Sequence, residues 1–190
     1  MKISISAAQG QGKTTFISDI EKYSKHSKHF TLFPRKSART IIEQLGITLE
    51  QIYEDKNALI EFQAAVFKQH STISEFKYFT KFLLIERSFI DISTFTTINL
   101  GRFNSLSDWI SMFHNACDVK QNTIDIIVYI KKMLDSKDDG VRPYNIHYNT
   151  AYDCYLYDQI KNRKHINIDV VDRLERVKKF DTELERMQLV

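Results

Sequence analysis

The stretch Ala7-Ala8-Gln9-Gly10-Gln11-Gly12-Lys13-Thr14-Thr15 decides how the rest of the chain is read. Before it lies the short apolar run Lys2 to Ser6, which reads as a strand, and from Lys13 to Tyr23 the pattern predicts a helix. Strand, loop, Gly-Lys-Thr-Thr and helix in this order fit the pattern G-x-x-x-x-G-K-[ST] from Gly12 onward, with Ala7 where the first glycine normally stands. Successive backbone N–H groups around Gly10 and Gly12 can form an anion nest, and the helix start adds its positive dipole end. This favours a phosphate-binding loop over an ordinary strand-to-helix turn. Gly10, Gln11, Gly12, Lys13, Thr14 and Thr15 are the expected contacts to ATP, with Lys13 on the β- and γ-phosphates and the Thr14 hydroxyl on Mg²⁺.

Outward from the loop, further apolar runs at His29 to Phe33, Lys81 to Ile85, Thr123 to Ile130 and His165 to Val170 read as strands. Helical patterns lie between and after them, at Ser37 to Leu45, Lys56 to Glu75, Asp91 to Leu100, Ser107 to Ala116, Thr150 to Lys161 and Asp172 to Met187. Alternating strands and helices predict an α/β fold with a parallel sheet, helices on both faces and ligands at the carboxyl edge of the strands. A chain of 190 residues with 43% hydrophobic content can bury one sizeable core, and a single domain over residues 1–190 is expected.

The balance of 27 basic against 24 acidic side chains leaves a formal charge of +3, which favours an anionic partner only mildly. Two cysteines, Cys117 and Cys154, show neither disulfide nor metal-ligand spacing and read as buried thiols of a reducing compartment. The first apolar stretch is too short for a signal peptide or membrane span, so a soluble cytoplasmic protein is expected.

A second signal follows the third strand. Phe82-Leu83-Leu84-Ile85 runs into Glu86-Arg87-Ser88, with Asp91 beyond it. An acid at a strand end beside a phosphate loop is where magnesium chemistry is organised. Glu86 is expected to position the Mg²⁺ shell or to accept a proton, and Arg87 to neutralise a transferring phosphoryl group. Asp91 shares in the chemistry or serves as the N-cap or first-turn acid of the next helix.

With these pieces in place, the chain resembles the nucleoside and nucleotide kinase group that includes thymidylate kinases, nicotinamide riboside kinases and related phage-encoded P-loop kinases. The likeness rests on Ala7 to Thr15, on Ser37-Ala38-Arg39 with Glu61-Phe62-Gln63 and Gln69, on Glu86 to Asp91, and on Asp138-Asp139-Gly140-Val141-Arg142. The resemblance implies five parallel strands in the order 2-3-1-4-5 and a lid over residues 131–148 whose Arg142 closes on the phosphates. It also implies an acceptor side that includes Gln63.

Many relatives carry an acidic residue just after the second strand. Here the sequence reads Phe33-Pro34-Arg35-Lys36-Ser37-Ala38-Arg39. Guanidinium and ammonium groups suit an acceptor that already bears phosphate, so Arg35, Lys36 and Arg39 are expected to face a nucleotide rather than a bare nucleoside, unless they form a solvated surface. Together with Lys13, Arg87, Lys131, Lys132 and Arg142 they make the expected catalytic edge basic enough for a DNA strand. The mixed charges of the last helix read as a solvated face.

The resulting expectation is a kinase that moves the γ-phosphoryl group of ATP to a pyrimidine, thymidine-like deoxynucleotide, free or within DNA. Some phage kinases of the resembling group act on 5-hydroxymethyluracil already in DNA, and that specialised form fits the basic edge. The competing class is an ATP-dependent switch or small ATPase. Oligomeric state is open between monomer and homodimer.

Overall fold

The computed structural model describes residues 1–34, 36–133 and 146–190. Five parallel strands form one sheet in the order β2-β3-β1-β4-β5, as the resemblance implied. They are β1 (Lys2–Ala7), β2 (Phe30–Leu32), β3 (Phe82–Glu86), β4 (Ile126–Ile130) and β5 (His165–Ile168). The helices among the described residues are α1 (Lys13–Tyr23), α2 (Ala38–Leu45), α3 (Leu49–Glu54), α4 (Lys56–Ser71), α5 (Phe89–Leu100), α6 (Ser107–Gln121), α7 (Ile146–Ile160) and α8 (Arg173–Arg186). None is long and apolar enough to cross a membrane.

The chain divides into two compact units. The first comprises Met1–Phe33, Lys77–Ser88 and Ile124–Val190 and holds the sheet with α1, α7 and α8. In β1, Ile3, Ile5 and Ala7 lie in register with Ile126, Val128 and Ile130 of β4. Because side chains alternate along a strand, these residues share one face, and there they pack with Phe16 and Ile20 of α1 and Val177, Phe180 and Leu184 of α8. Phe180 meets Phe16 edge to face at 5.9 Å. On the opposite face Tyr129 of β4 lies against Tyr157 of α7, with ring centres 5.1 Å apart. Asp181 of α8 is buried and accepts hydrogen bonds from the Ser24 hydroxyl at 2.6 Å and the Lys25 N–H at 3.1 Å, which ties the end of α1 to α8.

The second unit, Pro34–Phe76 and Phe89–Thr123, is helical. Ser37 caps α2 by accepting from the Thr40 N–H, and Gly46 ends it with φ 66°, a conformation open to glycine. Helix α3 opens with a capping box between Thr48 and Gln51. Phe67 of α4 sits 5.8 Å from Phe89 of α5 and 5.4 Å from Phe113 of α6. The start of α5 is capped from a distance, since the buried Gln121 Oε1 accepts from the N–H groups of Phe89 and Ile90 at 3.0 and 3.3 Å.

Several expected bounds move. Helix α6 runs five residues past Ala116 to Gln121, α7 begins at Ile146 rather than Thr150, and α3 is an element the apolar periodicity did not reveal. Helix α4 ends at Ser71 and a 3-10 turn, Thr72–Ser74, replaces its expected last residues. Cys117 is buried as expected, but Cys154 is exposed.

Candidate phosphate-binding site

The loop after β1 takes its shape from two glycines. Gly10 has φ 73° and Gly12 φ 79°, left-handed values that an L side chain adopts only with strain. Gly12 is also the N-cap of α1, yet no side chain caps that helix and no acidic residue occupies its first turn. Its first N–H groups therefore keep their capacity to bind an anion, reinforced by the positive end of the helix dipole.

Lys13 is the first residue of α1, which directs its side chain back toward the loop. Its ammonium donates to the carbonyls of Ala7 and Ala8 at 2.7 and 2.9 Å, and the residue is only 6% exposed. The cation is thus held at the loop. One residue on, the exposed Thr14 hydroxyl donates to Oε1 of the half-buried Glu86, 3.1 Å away at the end of β3. These two oxygen-bearing groups converge because β1 and β3 are neighbours, with Ile5 opposite Glu86. A hydroxyl and a carboxylate suit Mg²⁺, which commonly takes one or two protein oxygens and fills its remaining positions with water and phosphate. The residues present therefore fit both groups that the phosphate loop implies.

Just beyond Glu86 the backbone turns sharply. Arg87 has φ 72°, uncommon for a residue with a side chain, while its N–H donates to the Ile5 carbonyl at 2.9 Å and Ser6 donates from its hydroxyl to that of Ser88 at 3.0 Å. The turn at the end of β3 is thereby fastened to β1, the strand that carries the phosphate loop.

Gln11 lies at the centre of the loop and is fully buried. Its side-chain Oε1 accepts from the Met133 N–H at 3.0 Å, and its backbone carbonyl accepts from Arg176 Nη1 at 2.9 Å. Arg176 of α8 also donates through Nε to the Val170 carbonyl at 2.8 Å. Beside it, Arg173 grips the buried Asp19 of α1 through Nε at 2.9 Å and Nη2 at 2.6 Å. Burial pulls the Arg176 guanidinium below its ordinary pKa, and the negative charge of Asp19 opposes that shift. A cavity of about 170 Å³ opens here, walled by the loop glycines, Thr15, Phe16, Val171 and the two arginines.

Of the other residues expected at the site, Gln63, Asp91, Lys36 and Arg39 belong to the second unit. Gln63 is 2% exposed and its Oε1 accepts from the Thr96 hydroxyl at 3.3 Å. Asp91 is fully buried in the first turn of α5, which starts two residues before it, so Asp91 is a first-turn acid and not the N-cap. Lys36 donates to Gln44 Oε1 at 3.1 Å, and Arg39 stands exposed on α2. Arg35, Arg142 and residues 134–145 of the expected lid lie outside the described residues.

The charges of α8 correct the reading of a solvated face: Arg176 and Asp181 are both buried. Sequence reasoning missed Arg176, Arg173 and Asp19, which are joined to the loop or to one another by bonds that span more than 150 residues of chain, Arg176 to Gln11 and Arg173 to Asp19. Their one local trace is a run of charge in an otherwise amphipathic helix.

No protein-family model and no curated protein sequence matches the chain. Solved structures do. The deoxyadenosine kinase of M. mycoides with bound dCTP superimposes with a TM-score of 0.71 at 16% identity, over 98% of this chain and 100% of that one. The same enzyme with bound dATP gives 0.70 at 16% identity, over 97% and 100%. The NadR protein in complex with NR gives 0.66 at 14% identity, over 95% of this chain and 50% of that one. At such identities the likeness is one of fold: the chain shares the α/β architecture of these structures.

Proposed function

We propose that the chain is a kinase that moves the γ-phosphoryl group of ATP to a nucleotide-type acceptor. The observation that carries this reading is the convergence on one uncapped helix start of two left-handed glycines, the Lys13 ammonium and the Thr14–Glu86 pair. The loop N–H groups and Lys13 bind the triphosphate and oppose the charge that develops as the γ-phosphorus leaves its bridging oxygen. Thr14 and Glu86 are the groups that would hold Mg²⁺, which neutralises phosphate charge when bound. Glu86 is also the carboxylate placed at the strand end to take the proton of the attacking hydroxyl, and Arg87 and Asp91 follow it into the turn and α5. The cavity beside the loop, with its apolar wall of Phe16 and Val171, suits the nucleoside end of the donor.

On the acceptor side, Lys36, Arg39 and Gln63 supply two cations and an amide, and Arg35 and Arg142 add charge in sequence. This composition favours an acceptor that already carries phosphate: a pyrimidine, thymidine-like deoxynucleotide, free or as 5-hydroxymethyluracil within DNA. Support for phosphate on the acceptor comes from the basic run after β2, while the fold shared with a deoxyadenosine kinase supports only a nucleoside-type or nucleotide-type acceptor in general. The test is transfer of label from γ-labelled ATP, offered separately with nucleosides, monophosphates and DNA carrying ordinary or hydroxymethylated thymine positions. Label on a monophosphate or on DNA supports the reading. Label on water alone assigns the chain to the ATPases.

A further inference from the structure

The five strands are parallel, so their amino ends lie along one edge of the sheet, opposite the edge that carries the phosphate loop. At about 3.3 Å per residue, the length of β1 puts that edge roughly 20 Å from the loop. The segments that enter the strands are rich in lysine. In the sheet order β2-β3-β1-β4-β5 they bring Lys28, then Lys77 and Lys81, then Lys2, then Asp125, and then Lys164.

Backbone bonds hold these segments side by side. The Met1 carbonyl accepts from the Leu83 N–H at 2.8 Å, the Lys2 carbonyl from the Asp125 N–H at 2.9 Å, and the Lys164 carbonyl from the Ile127 N–H at 3.1 Å. With neighbouring strands about 4.8 Å apart, the row is about 19 Å long. Lys2, Lys28, Lys77 and Lys164 have no ion pair among the described residues, whereas acids near the row are engaged. Asp125 accepts from the Lys2 N–H at 2.6 Å, and Asp158 and Glu185 pair with Lys161 and Lys25.

Two aromatic rings stand at the same edge. Phe79, between Lys77 and Lys81, is 102% exposed. Its neighbours impose that exposure: the Tyr78 hydroxyl accepts from the Met1 amino group at 3.1 Å, and the Thr80 hydroxyl accepts from that of Thr31 at 2.7 Å while donating to the Phe82 carbonyl at 3.0 Å. The loop is thus pinned on both sides of a ring held out in solvent. Tyr23, which ends α1, is 48% exposed, with the Lys22 ammonium 4.9 Å above its ring. A single exposed ring is ordinary on a protein surface, but rings set among unpaired lysines match a polyanion that carries flat apolar faces.

We infer that this edge binds single-stranded nucleic acid, its lysines following the phosphates and Phe79 stacking on a base. A row of cations fits a strand better than a bilayer, which takes up a broad apolar face rather than two rings, and an acidic peptide leaves the rings unused. Bases are free to stack on Phe79 only where they are unpaired, which sets a single strand above a duplex. The inference is independent of the kinase reading, which concerns the opposite edge, and adds a polymer-binding surface to the far side of the sheet.

The experiment is fluorescence anisotropy of the full chain with labelled oligothymidylate and oligouridylate of about a dozen residues, and with the same oligothymidylate annealed to oligoadenylate, over a series of salt concentrations without ATP. At least one of the single strands is expected to bind more tightly than the duplex, and the stronger of the two identifies DNA or RNA as the source. Phe79→Ala should weaken that binding by about tenfold and leave its salt dependence unchanged. Exchanging Lys28, Lys77 and Lys164 for glutamine should lower the slope of log K against log salt by about 2, roughly 0.7 for each cation removed. These side chains are exposed, so both variants should keep the circular dichroism and melting temperature of the native protein. Saturating ATP should leave oligonucleotide binding unchanged.

No binding by the native protein at low salt, a duplex bound as tightly as the single strands, or unchanged affinity in both variants overturns the inference. So does preferential sedimentation with vesicles of anionic phospholipid that Phe79→Ala abolishes, which assigns the edge to a membrane. Displacement of the oligonucleotide by ATP puts the strand at the phosphate loop and overturns it as well. None of these results measures phosphoryl transfer, so the kinase reading stands or falls on its own test.

Discussion

The Thr14 hydroxyl donates to Oε1 of Glu86 at 3.1 Å, joining the first turn of α1 to the last residue of β3 across 72 positions of sequence. Both groups are oxygen donors of the type Mg²⁺ accepts, and β1–β3 pairing fixes their separation. Thr14→Ala and Glu86→Gln are each expected to raise the Mg²⁺ concentration for half-maximal transfer by about tenfold. The double variant should be little worse than either alone, as neighbours that share one ligand are not additive. Magnesium titrations of the four proteins check this, and multiplicative effects would show that the two residues act independently.

Lys13 holds the loop through two carbonyls while its charge stays at the loop. Lys13→Met keeps the apolar stem and removes the cation. Circular dichroism should report a folded protein, and transfer should fall by at least about 10²-fold, the scale of losing one preorganised donor opposite a developing anion. Undiminished turnover in this variant would end the assignment of the loop.

How far these sites were legible depends on how local their causes are. The β1, loop and α1 sequence was readable because strand alternation, two glycines and a helix start all act within about 20 residues of chain. Helix α3 was missed although its capping box, Thr48 with Gln51, is written in the sequence; at six residues it is too short for apolar periodicity to show. Arg176 and Asp181 were misread as solvated because a charge run usually is, and only the packing of α8 on β1 and α1 reveals them as buried. Asp91 shows a milder version of the same limit. An acid near a helix start is visible in sequence, but its complete burial is set by tertiary packing.

Cys117 on α6 gives the stability of the fold a pH dependence with a definite sign. Burial, reinforced by the nearby charge of Asp118, pushes its thiol up from 9.0 to about 12. A raised acid favours the protonated folded form, so its contribution is complete below pH 9 and is lost as the unfolded chain ionises first, between pH 9 and about 12. The unfolding free energy from urea titrations is expected to fall more steeply in the native protein than in Cys117→Ala across that window, by up to about 1.4 kcal/mol per pH unit. Parallel curves would mean that the thiol ionises in the folded state as readily as in the unfolded one. In native protein at neutral pH, a thiol reagent should modify the exposed Cys154 and spare Cys117.

The cations after β2 carry the choice of acceptor. Helix α2 is started by Ser37, which accepts from the Thr40 N–H, and not by the charges around it. Among the described residues Lys36 reaches only Gln44, and Arg39 is exposed with no hydrogen bond or ion pair. Exchanging Arg35, Lys36 and Arg39 for glutamine should therefore leave thermal stability nearly unchanged, since exposed charges contribute little to folding. If they recognise phosphate on the acceptor, the triple variant should raise the acceptor KM by about tenfold or more while the KM for ATP stays close to that of the native protein. Salt then separates the two acceptor classes. A DNA strand that meets several of these cations binds with a steep logarithmic dependence on salt, and each cation removed should lower the slope by roughly 0.7 to 0.9, whereas a mononucleotide releases few counterions and shows a shallow dependence throughout. Acceptor constants that do not move in the triple variant would make these residues a solvated surface, and the preference for a phosphorylated acceptor would lose its physical basis.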